Sequence, residues 1–181
     1  MPHIPVPAAE LNTRLDRLRC AMTEKDPAWS MLLLDNTLDM YYFTGTMQDG
    51  ALVVTPDQAT LFVRRSFDVA KDESAFADIR PMGSFRGIKE VYPDIPETVY
   101  VAAKTMTLQK LSMLNKHLPF APKPMDGVLS ALRSVKSAYE LDCMRESGRL
   151  HRYVIEELAP AFLREGVSEA RLCSEICTAI V

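Results

Sequence analysis

At about residue 132 the chain changes character, and that change limits its possible folds more than any other feature. Upstream, short apolar runs such as Met31-Leu32-Leu33-Leu34 and Leu61-Phe62-Val63 alternate with amphipathic stretches and turn residues. Downstream of Leu132-Arg133-Ser134-Val135-Lys136-Ser137-Ala138-Tyr139-Glu140-Leu141-Asp142-Cys143-Met144-Arg145 the pattern is helical as far as Val181. Ser137 followed three residues later by Glu140 forms a capping box, in which each residue satisfies an amide that the other leaves open, so a helix should start at about Ala138. Leu141, Met144, Gly148, His151, Ile155, Leu158 and Phe162 then recur in steps of three and four, giving one face meant for burial. Arg133 and Lys136 precede the cap and are expected to face water.

A chain of 181 residues is long enough for one large domain, or for a domain of about 130 residues with a helical extension. The change at residue 132 favours the second. With 48% apolar residues the sequence can bury an ordinary core. Its 21 basic and 24 acidic residues are mixed along the chain, for a net charge of −3. Neither the basic stripe of a nucleic-acid binder nor a polybasic membrane patch is present. Met1 to Pro7 has neither the basic nor the apolar region of a signal peptide, and no apolar run approaches the length of a membrane span, so a cytoplasmic location is expected. The four cysteines, Cys20, Cys143, Cys173 and Cys177, match neither a disulfide framework nor a zinc knuckle and read as buried free thiols.

In chain order, Pro7 to Met22 reads as an amphipathic helix with Leu11, Leu15, Leu18 and Met22 on one face. Met31 to Leu34 is a strand covered on both faces, and Asp35 to Asp39 a turn. Met40 to Gly45 is aromatic enough to belong in a core. Ala51 to Thr55 and Ala59 to Val63 flank Pro56-Asp57-Gln58 and form an antiparallel hairpin. Arg64 and Arg65 follow, suited to a carboxylate or phosphate or to a plain surface ion pair, and Ser66 is placed to cap a helix running to about Ala77. Ile79 to Met82 and Thr98 to Ala102 read as strands, Gly83 to Tyr92 as a loop and short helix, and Thr107 to Leu118 as a helix capped by Thr107 with Leu108, Leu111, Met113 and Leu114 on its apolar face. Pro119 to Pro124 breaks the pattern before a short helix, Asp126 to Leu132. The order predicts an α/β fold, a mixed β-sheet with helices on both faces. Past the hinge a helix runs from Ala138 to Phe162, Gly166 stops it, and Ser168 caps a last helix with Leu172, Ile176 and Ile180 as its stripe.

The chemistry of common active sites is missing. The seven glycines form no phosphate-binding loop. His3, His117 and His151 stand alone, each more simply read as a packed or solvated side chain than as an acid or base. No nucleophile elbow, no readable Cys–His arrangement and no paired acidic cluster suited to a metal is evident.

Four segments nevertheless resemble a known family. Asp39-Met40-Tyr41-Tyr42-Phe43-Thr44-Gly45 is similar to Asn-Ile-x-Tyr-Leu-Thr-Gly, departing at Asp39 and Phe43, and the hairpin ending in Phe62-Val63-Arg64-Arg65 matches the segment that follows it. Leu132-Arg133-Ser134-Val135-Lys136-Ser137 with Glu140, Met144 and Arg145 resembles Leu-Arg-x-Ile-Lys-Ser-x-x-Glu-Ile-x-x-Met-Arg. Glu165-Gly166-Val167-Ser168-Glu169 is similar to Glu-Gly-x-Ser-Glu. In that order they resemble the amino-terminal part of the creatinase, prolidase and aminopeptidase P family, whose catalytic half has the pita-bread metallopeptidase fold.

The resemblance implies a creatinase/prolidase-type domain over residues 1–131, then a linker and the first two helices of an incomplete catalytic domain over 132–181. It implies a parent that hydrolyses peptide bonds next to proline with two divalent metal ions, Mn, Co or Zn, held by two Asp, one His and two Glu further along. None of those ligands maps onto this chain, so no catalytic or metal residue is assigned, no cofactor is expected in it and no activity is expected of it alone. The resemblance further implies a homodimer in which the domain restricts access of short proline-containing peptides, with no nucleic-acid or membrane partner. Gln48, Asp49, Arg64, Arg65 and Phe67 are then the substrate-facing candidates, although a plain surface turn and helix start is the simpler account of them. A creatinase-like small-molecule hydrolase and a peptidase-like binding module without activity are the alternatives, since fold alone does not decide function.

Overall fold

Runs of β-branched and leucine side chains with no polar interruption can be covered only from both sides, and they supply the middle of a six-stranded sheet. A computed structural model describes residues 5–180, which divide into two compact units, one reaching residue 135 and the other beginning at residue 136. The first unit holds β1 (Leu32–Leu34), β2 (Gly50–Val54), β3 (Ala59–Val63), β4 (Ile79–Pro81), β5 (Thr98–Val101) and β6 (Ala121–Pro124), in the spatial order β4-β3-β2-β1-β5-β6. Strand β2 is antiparallel to both neighbours and every other pairing is parallel. The sheet is therefore mixed, as predicted, with five strands ending at the same edge.

The two-residue side-chain period divides the core in two. One face carries Leu33, Ala51, Val53, Phe62, Val99 and Val101, packed with Phe85 and Ile88 from the 3₁₀ turn Phe85–Gly87 and α4 (Ile88–Val91), and with Leu114 of α5 (Leu108–Asn115). The other carries Leu32, Leu34, Leu52, Val54, Leu61 and Tyr100, all buried. On that side α1 (Ala8–Lys25) buries Leu11, Leu15, Leu18 and Met22, the predicted stripe, and Arg19 Nε reaches the Thr55 carbonyl at 3.3 Å. Beside α1 pack α2 (Thr37–Thr44) and α6 (Asp126–Ser134). Each leucine buried to this degree contributes about 1.5–3 kcal/mol, more than a typical surface ion pair.

Several expectations are corrected. Asp35 to Asp39 is not a simple turn: Asn36 accepts from the Asp39 amide at 2.9 Å and caps α2, while Gly45 closes it with φ 75°. Cys20, Cys143, Cys173 and Cys177 are all exposed: Cys20 lies off the buried stripe of α1, and no residue of the helices that carry the other three is buried. Pro119 to Pro124 contains β6, where two prolines are tolerated because an edge strand needs ladder amides on one side only. The helix after Ser66, α3 (Phe67–Glu73), ends four residues early, and Ser66 adopts φ 56° without a side-chain capping bond. Helix α5 begins at its Thr107 cap as predicted but stops at Asn115, and Leu108 and Met113 are exposed.

The second unit is helical. The capping box is formed: the Glu140 amide donates to Ser137 Oγ at 3.1 Å, and the Ser137 amide to Glu140 Oε2 at 2.8 Å. The predicted single helix from Ala138 to Phe162 is in three pieces, α7 (Ala138–Tyr153), a π-helical turn over Val154–Leu158 and α8 (Ala159–Phe162). Pro160 explains the break, since it has no amide for the residue four before it. Gly166 has φ 77°, and Ser168 precedes α9 (Glu169–Ile180) with Oγ 3.3 Å from the Arg171 amide. No residue of these helices is buried, so the face meant for burial is uncovered among the described residues.

Candidate functional site

The five sequence candidates lie on two connections at the edge where β3 ends and β2 begins. Gly50 must be glycine there, because a Cβ would stand 1.9 Å from the Phe62 carbonyl oxygen. The loop Thr46 to Asp49 enters β2 and Arg64 leaves β3, so the hairpin register brings them together. The Arg64 amide donates to the Asp49 carbonyl at 2.7 Å, and its Nε and Nη2 donate to Asp49 Oδ2 at 2.9 and 2.6 Å. With both side chains about 40% exposed this pair contributes at most about 1 kcal/mol, yet it clamps the loop to the strand end.

The rest of the loop is held from α3. Glu73 Oε1 accepts from Thr46 Oγ1 and, at 3.1 Å, from Gln48 Nε2, while Thr46 Oγ1 accepts from the Gln48 amide at 3.2 Å. Ser74 Oγ donates to the Thr44 carbonyl at the end of α2. Glu73 was not legible as a loop anchor; its only signal was a carboxylate late in a short helix. Arg65 and Phe67 are not drawn into this network. Arg65 is exposed with no side-chain bond among the described residues, and Phe67 is half-buried with Lys71 Nζ 5.6 Å from its ring centroid. Between them Ser66 occupies the left-handed region, uncommon for a residue with a Cβ.

A second cluster joins two of the motif segments. Asp39, on α2, accepts from Asn36 Nδ2 at 2.6 Å and from Arg133 Nη1 at 2.7 Å, with its side chain only 6% exposed. Arg133 was expected to face water and instead neutralises this carboxylate. The Leu132 carbonyl accepts from Tyr42 Oη at 3.4 Å and from Arg17 Nη2 at 3.3 Å. Arg14 stacks over the Tyr42 ring at 4.4 Å and donates to the Tyr42 carbonyl at 2.7 Å. The first motif and the hinge motif thus meet through α1, which neither spacing nor periodicity predicts.

These arrangements hold a loop and a helix end in place; within them no nucleophile is paired with a base. Among the described residues no group of three or more His, Cys, Asp or Glu is placed to hold a metal ion, so the dinuclear centre implied by the resemblance does not fit them. His151 Nδ1 lies 2.7 Å from the Ser147 carbonyl on its own helix, and His117 is half-buried beside α5.

An α/β domain with a mixed six-stranded sheet and helices on both faces is the class of protein this defines. The Creatinase/Prolidase N-terminal domain family matches residues 14–135, and the chain belongs to that family. An Xaa-Pro dipeptidase from Bacillus anthracis is similar with a TM-score of 0.77 at 20% identity, over 92% of this chain and 47% of that one. Dipeptidase PepE from Mycobacterium ulcerans is similar at 0.75 and 26% identity, over 98% and 50%. The Creatinase/Prolidase N-terminal domain of an X-Pro dipeptidase from Streptococcus pyogenes is similar at 0.55 and 18% identity, over 66% of this chain and 98% of that one. The chain thus spans about half the length of the first two. No curated protein matches it. No described helix is long and apolar enough to cross a membrane.

Proposed function

We propose that this chain is the amino-terminal portion of an Xaa-Pro dipeptidase or aminopeptidase, with a domain that serves dimerisation and substrate restriction and performs no hydrolysis itself. The observation that carries the reading is the half-length match to dipeptidases, taken with a chain whose described residues hold no metal-ligand cluster. In the parent, two divalent ions would polarise the scissile carbonyl and activate water, held by ligands outside the described residues. Residues 132–181 would be a linker and the first two helices of the catalytic half, with the exposed Leu141, Met144, Leu150 and Ile155 packing on its remainder. Residues 48–49 and 64–67 are the surface offered to a substrate approaching a partner subunit.

Incubation of the chain with Mn²⁺ or Co²⁺ and an Xaa-Pro dipeptide is expected to give no turnover, and sustained hydrolysis would refute the non-catalytic role. In the full-length enzyme, replacing Arg65 or Phe67 should raise KM and relax peptide-length preference with kcat little changed. Unaltered KM and preference remove both residues from the substrate surface.

A further inference from the structure

The chain leaves β1 to build β2, β3 and β4 on one side and returns to add β5 and β6 on the other, so the order reverses between β1 and β5. In open α/β sheets ligands bind in the crevice outside the carboxyl ends of the strands at such a reversal. The edge where β1, β3, β4, β5 and β6 end carries a cleft, beside the ends of β3 and β4 rather than at the reversal itself. One part, of 260 Å³, lies between Arg64 after β3, the turn Met82 to Phe85 after β4, and Met113, Lys116 and His117 of the α5 region. A second part, of 320 Å³, shares Arg64, Phe85 and Met113 and extends to Thr107 and Lys110.

No acidic side chain lines either part. Two of the three full cations are compensated from outside, Arg64 by Asp49 at 2.6 Å and Lys110 by Asp35 at 2.8 Å. Asp35 has its side chain 2% exposed, and its Oδ1 makes no hydrogen bond, so a buried carboxylate with unused capacity stands behind the Lys110 wall. Buried polar atoms left in this state are rare and call for an explanation. Lys116 has no ion pair among the described residues, so the cleft carries one uncompensated positive charge. Its floor is apolar: Phe85 and Met82 are buried beneath it and Met113 is exposed at its side. Gly83 puts no side chain into the opening, and the Ser84 hydroxyl makes no capping bond.

We propose that this cleft binds a small monocarboxylate bearing one apolar group, about the size of an N-acylated amino acid. The carboxylate lies between Lys116 and Arg64, where the free charge and unused guanidinium N–H groups are, and the apolar group lies on Phe85 and Met113. A single net charge over an apolar floor suits a monoanion better than a phosphate dianion, whose second charge would have no counterpart. This site goes beyond the accessory role proposed above and does not rest on it, so its failure would leave the family membership and that role untouched.

The test is an amide chemical-shift titration of the isotopically labelled chain with N-acetyl-L-leucine, N-acetyl-L-leucinamide and inorganic phosphate. The acid is expected to give saturable shifts centred on Gly83, Ser84, Phe85 and Met113, with the amide and phosphate at least about tenfold weaker. Lys116→Glu and Met113→Glu, both at exposed positions, should each weaken the acid by about tenfold or more while leaving shifts elsewhere in the sheet unchanged. Equal binding of acid and amide, equal binding of phosphate, shifts centred outside the cleft, or no saturation by about 10 mM would each overturn the proposal.

Discussion

The two units of this chain obtain their helices in opposite ways. Helix α1 buries Leu18 and Met22 completely against a sheet whose central strands are buried on both faces, so its form is dictated by packing. Helix α7 buries nothing, and is instead specified by its capping box and by ladders such as Arg149–Glu146 at 2.7 Å and Arg152–Glu156 at 2.7 Å. Local devices contribute only a few tenths to about 1 kcal/mol each, whereas core leucines contribute several times more. The contrast separates the part of the chain with a core of its own from the part whose helices bury no residue among those described.

The sharpest way to break this contrast is to make the same substitution in both units. Leu18→Ala should destabilise the first unit by about 2–5 kcal/mol, and Leu150→Ala in α7, at a position 40% exposed, by less than about 0.5 kcal/mol. Urea unfolding followed by Trp29, in the first unit, reads the first directly; far-UV circular dichroism reads the second. Comparable losses at the two positions would show that α7 has a packed core of its own. A middle-sized effect is expected at Arg133→Ala, which leaves the Asp39 carboxylate buried without its cation and should cost about 1–3 kcal/mol. Adding Asp39→Asn should recover part of that loss, because the uncompensated charge is then gone. A strictly additive double variant would mean that the pair is not coupled.

What could be read beforehand follows the same division. The Ala51–Val63 hairpin, the α1 stripe and the Ser137–Glu140 box are written in contiguous residues with a definite period or spacing, and each formed as predicted. Helix α2 was obscured because Met40-Tyr41-Tyr42-Phe43 is apolar without a period, leaving its cap, Asn36, to look like part of a turn. Strand β6 was hidden by prolines that only an edge position tolerates, and edge position is a property of the sheet. Residue type places the cysteines inside, but in α7 and α9 no residue is buried. At the candidate site, the Arg64–Asp49 contact follows from hairpin register. The Glu73 anchor and the Asp39–Arg133 pair depend on tertiary placement across 27 and 94 residues, which no spacing rule reaches.

The smallest effect expected is also the most discriminating, because two carboxylates, one per unit, are both held down to about pKa 2 by different means. Asp26 is lowered first by the Tyr100 hydroxyl at 2.7 Å, then by Lys123 and the Ala28 amide. Tyr100 is 2% exposed and fixed in β5, so its donor is in place at no further ordering cost. Glu175 is lowered by Arg164 and then Arg171, both on solvent-facing side chains. Since both carboxyls sit below their unfolded values, whatever stability they confer is present above about pH 4 and lost as pH falls towards 2. Salt separates them: at about 1 M the screening length falls to roughly 3 Å, which weakens exposed guanidinium pairs but hardly a neutral hydroxyl or amide. In a carbon-detected NMR titration Glu175 should therefore rise towards the ordinary carboxylate range in high salt while Asp26 stays low. The melting-temperature difference between the native chain and Asp26→Asn should close between pH 4 and 2. Equal salt sensitivity of the two carboxylates would show that Asp26, too, is held mainly by charge, and that the first unit's preorganised donors confer no advantage over the surface ladders of the second.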